Sequence, residues 1–158
     1  MASYSISRSD LHANLDAFWL AVKALSPTAP ASAFEKYGSF LAPDCIVYQS
    51  GMGQPPSRGR EAAVKAMRAL LGYWELVEYR VRSRASSAPS AAGGRRIIVH
   101  EMDNKLRILG RTVEHFGETE VVEYDDNGLI VEYRLYCDPS PIREIFASVA
   151  AEKKEEKQ

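Results

Sequence analysis

Glu118-Thr-Glu-Val-Val-Glu-Tyr-Asp-Asp-Asn-Gly-Leu-Ile-Val-Glu-Tyr-Arg-Leu-Tyr-Cys-Asp138 is the stretch whose reading decides the fold. Two runs rich in β-branched and aromatic residues flank Asp125-Asp-Asn-Gly128. Asn-Gly in that setting predicts a tight hairpin, because a primed turn needs φ > 0 at both central residues. Pro139 has no N–H to continue a ladder, so the second strand is expected to stop with Asp138 at the sheet rim. A carboxylate there is the first candidate for proton chemistry. Asp138-Pro-Ser-Pro ahead of Ile142 equally suits a helix start, so capping stands beside catalysis as its role.

Upstream of this hairpin the period is also two. Trp74–Arg82 reads as one strand, Ser83–Gly94 as a Ser/Ala/Pro/Gly-rich loop, and Arg95–Asp103 as a further strand. The latter is expected to bulge or break near Asn104 before Leu106–Leu109, and residues 111–124 supply the next strand, or a rim connection followed by a strand. Earlier still the period is helical. Leu11, Leu15, Phe18, Trp19, Val22 and Leu25 recur at three- and four-residue steps, with Ser7 or Ser9 as cap. Phe34, Tyr37, Phe40 and Leu41 mark a second helix and Ser57–Leu71 a third, separated by a short strand Cys45–Gln49 and an irregular Gly51–Pro56 loop. Ile142–Val149 closes the pattern, and residues 152–158 form a charged, solvated tail.

The order helix, helix, strand, helix and four strands predicts a single α+β domain over residues 1–151. Its curved antiparallel sheet wraps around the first helices as a cone. Such a cone encloses a pocket suited to a small ligand.

The 158 residues carry 20 Lys and Arg against 21 Asp and Glu, so no broad field gathers nucleic acid or an anionic membrane. Neither of the two cysteines, Cys45 and Cys137, lies in a CxxC pair or at metal-ligand spacing to histidine. A reduced, cytoplasmic setting fits, with no metal. No stretch approaches a membrane span, and the N-terminus lacks the pattern of a secretory leader. The Gly51–Gly53 stretch lacks the Lys-Ser/Thr ending of a phosphate loop.

Tyr48-Gln49, Gly59-Arg-Glu-Ala-Ala63, Asn127-Gly-Leu-Ile130 and Tyr136-Cys-Asp138 together give the chain a resemblance to the nuclear transport factor 2-like superfamily. Within it the likeness is to SnoaL-like polyketide cyclases and limonene-epoxide-hydrolase-like enzymes. The resemblance implies a cone-shaped fold, a homodimer, no cofactor, and an aspartate acting as general acid/base at the position of Asp138. The epoxide-hydrolase pattern further implies a pocket tyrosine at Tyr48. It has Ser50 where asparagine is expected, and Glu101-Met-Asp103 where Arg-x-Asp is expected. The missing arginine would have kept two carboxyl pKa values apart. Arg134, which shares a strand face with Glu132, Tyr136 and Asp138, is a candidate replacement.

These implications assemble into an expected site. Asp138 moves the proton, Asp103 or Glu101 is the second acid/base, Tyr48 is a hydrogen-bond donor and Arg134 a charge partner. His115 is a further candidate. By parity His100 faces away from any pocket that Glu101 and Asp103 line, and His12 is exposed. Trp19, Ser50, Met67, Trp74 and Tyr136 form the pocket wall. Glu114, Glu118, Glu120 and Glu123 are read as a solvated or subunit-facing strand surface. The expected activity is isomerisation, cyclisation or dehydration of an apolar polyketide- or terpenoid-like molecule of secondary metabolism. Epoxide opening is the alternative enzyme, and a non-catalytic binding or dimerisation module is the alternative class.

Overall fold

The computed structural model describes residues 8–50, 54–87 and 95–156. The chain runs α1 (Arg8–Lys23), α2 (Ala31–Ser39), β1 (Leu41–Ser50), β2 (Ser57–Arg58), α3 (Arg60–Leu70), β3 (Trp74–Glu78), β4 (Val81–Ser86), β5 (Arg96–Ile108), β6 (Arg111–Tyr124), β7 (Ile130–Cys137) and α4 (Ser140–Glu155). The Gly51–Gly53 loop, the Ser7 cap and the side chains of Ser9 and Ser50 lie outside what is described.

A seven-stranded sheet follows the order β2-β1-β7-β6-β5-β3, with β4 also on β5. It curls into the expected α+β cone. It is not wholly antiparallel, because β1 runs parallel to β7, with Val47 opposite Tyr133 and Gln49 opposite Leu135. The chain reaches β1 through α2 instead of a hairpin, which leaves its direction free. One continuous apolar core joins Leu11, Leu15, Phe18, Trp19 and Val22 of α1 to α2, α3 and the inner sheet face. The three- and four-residue spacing of those side chains is what puts them on one buried stripe.

The turns differ from expectation. The tight primed turn lies between β5 and β6, where Leu109 and Gly110 have φ of 48° and 80°. Between β6 and β7, Gly128 takes a φ of 79° while Asn127 does not enter the positive region. The Asp125 carboxylate widens that loop by accepting the N–H groups of Asn127 and Leu129 at 2.9 and 2.8 Å.

The strand predicted over Trp74–Arg82 is broken in two at Tyr79–Arg80. Asn104 patches the break: its Oδ1 accepts the Arg80 N–H at 3.0 Å, while the Asp103 N–H donates to the Arg80 carbonyl at 2.9 Å. The expected irregularity near Asn104 is present as a register shift between Asn104 and Leu106 inside one long strand. Helix α4 extends to Glu155, so residues 152–155 of the predicted tail are helical, and Arg111 donates to Glu152. Among the described residues no helix is long and apolar enough to cross a membrane.

Candidate active site

β6 lies between β5 and β7, so its inner face is covered on both flanks by paired strands. Side chains alternate along it, and Phe116, Glu118, Glu120, Val122 and Tyr124 all point into the cone and are buried. Two carboxyl groups thus stand in succession on an inward face. A buried carboxyl must be neutral or well partnered, and these two meet that requirement differently.

Glu120 is fully buried and heavily partnered. The Trp19 indole N–H, carried in by α1, donates to its two oxygens at 3.0 and 2.9 Å. The Tyr133 hydroxyl from β7 also bonds to it. Its Oε1 lies 3.0 Å from Nδ1 of His100, which is directly opposite on β5. The same His100 nitrogen lies 3.0 Å from the Tyr79 hydroxyl. Nε2 of His100 lies 3.2 Å from Nδ1 of His12 on α1, and the two imidazoles stack with centroids 5.4 Å apart and planes within 5°. Burial, then the negative charge of Glu120, pushes the Tyr79 and Tyr124 hydroxyls far above the usual phenol range. The Tyr124 hydroxyl is buried with no hydrogen-bond partner among the described residues.

Glu118 has the Asn104 amide at 2.6 Å. The orientation of that amide is forced, because its other end accepts the Arg80 N–H and a backbone N–H can only donate. Burial outweighs this hydrogen bond and, with the repulsion of Glu120, raises the Glu118 carboxyl to about 7. Cys137, opposite Glu118 on β7, is pushed up to about 11 by burial and then by the Glu118 charge.

Trp19 and Tyr133 carry the site to a cavity. A void of about 40 Å³ is walled by Phe18, Trp19, Tyr37, Met67, Trp74 and Tyr133. It has room for roughly two or three waters. Val47, Gln49 and Leu70 also border an outer cleft of about 420 Å³ beside Tyr73, a volume in the usual range for a small ligand.

The other sequence-derived candidates lie elsewhere. Glu101 is exposed and accepts the Ser83 hydroxyl at 3.0 Å. Asp103 is on the same outward face, where Arg82 at 2.7 Å and His115 at 2.9 Å, in that order, hold its carboxyl below the usual range. His115 is itself exposed. The parity argument is correct, but the facing is reversed: His100 points inward, while Glu101 and Asp103 point out. Arg134 pairs outside with Glu123 at 2.8 Å and Glu132 at 3.5 Å. Tyr48, opposite Arg134, and Tyr136, opposite Thr119, belong to the outer face too. His12, expected to be exposed, is half-buried against His100.

Asp138 is exposed at the end of β7, and its Oδ1 accepts the Ser140 N–H at 2.9 Å. The Ser140 hydroxyl and N–H hold its carboxyl below the usual range. That is the geometry of a helix start. Asp138→Asn is therefore expected to lower the thermal midpoint by no more than a few degrees and to leave any turnover intact. A variant that keeps its midpoint but loses turnover would return Asp138 to the chemistry.

Glu118 and Glu120, read as surface, are the buried acids. Their signal was available: Phe116, Val122 and Tyr124 share their parity, and three such neighbours outvote two carboxylates.

No protein-family profile and no curated protein matches the chain. Solved structures do. An LEH-like epoxide hydrolase of M. tuberculosis superposes with a TM-score of 0.62 at 20% identity, over 90% of this chain and 97% of that one. A proposed SnoaL-like polyketide cyclase from Shewanella denitrificans gives 0.66 at 10% identity, over 89% and 99%. An NTF2-like protein of unknown function from Cytophaga hutchinsonii gives 0.56 at 14% identity, over 89% and 98%. At these identities the likeness is one of fold, and it agrees with the curled sheet packed on α1: the chain has the nuclear transport factor 2-like fold.

Proposed function

We propose that this protein is a small-molecule enzyme of acid–base chemistry, an isomerase, cyclase or dehydratase, whose working groups are Glu118 and Glu120. One observation carries the proposal: two buried carboxyls share an inward strand face, one of them raised to about 7 and the other bonded by His100 and by Trp19 and Tyr133, which themselves wall an aromatic cavity. Carboxyls in such unlike surroundings divide the labour of acid and base. With its carboxyl raised to about 7, Glu118 gains and loses its proton in the neutral range, the condition for giving and taking a proton at low cost. Glu120 is the carboxylate that receives one. The unpartnered Tyr124 hydroxyl is a donor left over for a substrate oxygen.

The walls select an apolar, ring- or chain-like molecule, which enters from the cleft by Gln49 and Leu70 and widens the inner void as it displaces water. A homodimer and a reduced compartment, in which Cys45 and Cys137 stay out of disulfides, complete the proposal.

The test is mass spectrometry of a metabolite extract incubated in heavy-oxygen water with wild-type or Glu118→Gln protein. A wild-type-only product of unchanged mass is an isomer or cyclised product. Loss of water marks a dehydratase, and gain of labelled water marks epoxide hydrolysis. Identical profiles from the two proteins would remove the enzyme assignment in favour of a binding role.

A further inference from the structure

We infer that Asn104 is the positioning residue of Glu118: locked by the strand break at Tyr79–Arg80, its amide keeps Oε2 of the acid an acceptor in both protonation states and leaves Oε1 to take and give the proton. The inference deepens the acid–base proposal and rests on it for its use, while the geometry stands without a substrate. Asn104 is fully buried on β5, one step along the inward face from Met102, which is directly opposite Glu118. Its Nδ2 donates to Glu118 Oε2 at 2.6 Å, and its Oδ1 accepts the Arg80 N–H at 3.0 Å. Arg80 is itself held in place. Its carbonyl accepts the Asp103 N–H at 2.9 Å, and its guanidinium donates to Glu78 at 2.6 Å and to the Glu114 carbonyl at 3.2 Å.

An amide in this place cannot turn over. Flipping it would set an NH2 group against the Arg80 N–H and a carbonyl oxygen against the carboxyl, two buried repulsive contacts in place of two hydrogen bonds. Asn104 therefore faces Glu118 as a donor only, and Oε2 must offer it a lone pair whether the acid is charged or neutral. When Glu118 binds a proton, the proton goes to Oε1, the oxygen turned from the amide. When the proton leaves, the bond to Oε2 becomes charge-assisted and stronger, with no side chain turning. Proton transfer at Oε1 thus needs no rearrangement of the group that supports it.

The surroundings leave this task to Asn104. The titratable groups facing Glu118 are Glu120 on its own strand and Cys137 and Tyr133 on β7, whose thiol and phenol are held neutral by burial and then by the neighbouring acids. β5 presents the uncharged Met102, with its sulfur 3.9 Å from the same Nδ2, and Asn104 itself. Among the described residues Asn104 is thus the donor set against burial and the charge of Glu120. The strand break becomes part of the site's support. Its two residues reach one acid each, Tyr79 through His100 toward Glu120 and Arg80 through Asn104 toward Glu118.

The test separates the two bonds of the amide. Asn104→Asp keeps an oxygen for the Arg80 N–H but turns a second acceptor toward Glu118 in place of the donor. In protein labelled with ¹³C at glutamate, the side-chain carboxyl signal of Glu118 is identified by its absence from Glu118→Gln protein. In Asn104→Asp that signal is expected to titrate about 1–2 pH units higher than in wild type, the worth of one hydrogen bond to a charged group. Glutamine at 118 can turn its NH2 toward the new carboxylate and so invert the pair. Asn104→Asp is therefore expected to lower the urea midpoint at pH 8 less in the Glu118→Gln background than in wild type. An unmoved Glu118 titration, or a loss as large in the Glu118→Gln background, would overturn the inference and leave Asn104 a patch for the strand break. If the titration moves as expected while the wild-type and Glu118→Gln metabolite profiles are identical, the positioning stands and the assigned reaction falls; if the profiles differ while the titration is unmoved, the reverse holds.

Discussion

Glu118→Gln is expected to stabilise the protein at pH 8 by roughly 3 kcal/mol, a rise of about 5–10 °C in thermal midpoint, while abolishing turnover. The sign follows from proton linkage. Burial lifts the Glu118 carboxyl from its ordinary 4.5 to about 7, so between those values the folded state holds a proton that the unfolded chain has released. Wild-type stability therefore falls as pH rises through that window, at about 1.4 kcal/mol per pH unit, and levels off above it. Glutamine has nearly the same shape, still accepts from the Asn104 amide through its carbonyl oxygen, and never ionises. Its advantage should nearly vanish at pH 4, where Glu118 is neutral in the folded state and mostly neutral in the unfolded chain. Urea titrations of both proteins at pH 4 and pH 8 make the check. An advantage of equal size at the two values would mean that Glu118 is not the titrating group.

Two residues away the expectation has the opposite sign. Glu120→Ala is expected to cost about 3–5 kcal/mol, a large part of the 5–15 kcal/mol typical of a domain. The carboxylate is the acceptor for Trp19 and Tyr133 and faces His100, so its removal takes the acceptor from two buried donors and leaves His100 with only Tyr79 and His12. The loss is measured by the shift in denaturation midpoint. A double-mutant cycle with Trp19→Phe separates the mechanism: if the groups act as a unit, the two losses together fall well short of their sum. A Glu120→Ala variant within 1 kcal/mol of wild type would show that the inner partners rearrange without it. Neighbouring acids on one strand face thus report two regimes, a carboxyl that destabilises because one amide does not offset its burial and one that stabilises because several partners do.

Much of the fold was legible because period is legible. The helical stripe of Leu11 to Val22 and the alternation of residues 111–124 each specify an element without knowledge of the rest. The candidate site was less so, for a reason visible on β5. Its outward residues include Ile97 and Val99, while its inward ones include Arg96, His100 and Asn104. A strand that mixes polar and apolar side chains on both faces reveals its period but not its facing. The motif comparison then chose Asp103 and Glu101, and the whole β5 assignment turned over with them. The break at Tyr79–Arg80 was illegible for a different reason: Asn104, in a distant stretch of chain, supplies the acceptor that makes it tolerable. Asp138 shows that a correct strand end does not settle a role, since the same position serves a rim acid or a helix start.

Helix α1 precedes the other described elements in the chain, and polar partners of it lie far downstream. Trp19 and Glu120 are separated by 101 residues, and Asn14, which donates to the Gly128 carbonyl at 2.7 Å, lies 114 residues from it. During synthesis the helix must wait, its apolar stripe uncovered, until β6 and the loop after it emerge. Such distant pairings slow folding, because chain closure is imposed before any contact returns stability. The stripe and the indole N–H are thus held in readiness until β6 is made, and the site comes into being only when α1 and β6 meet.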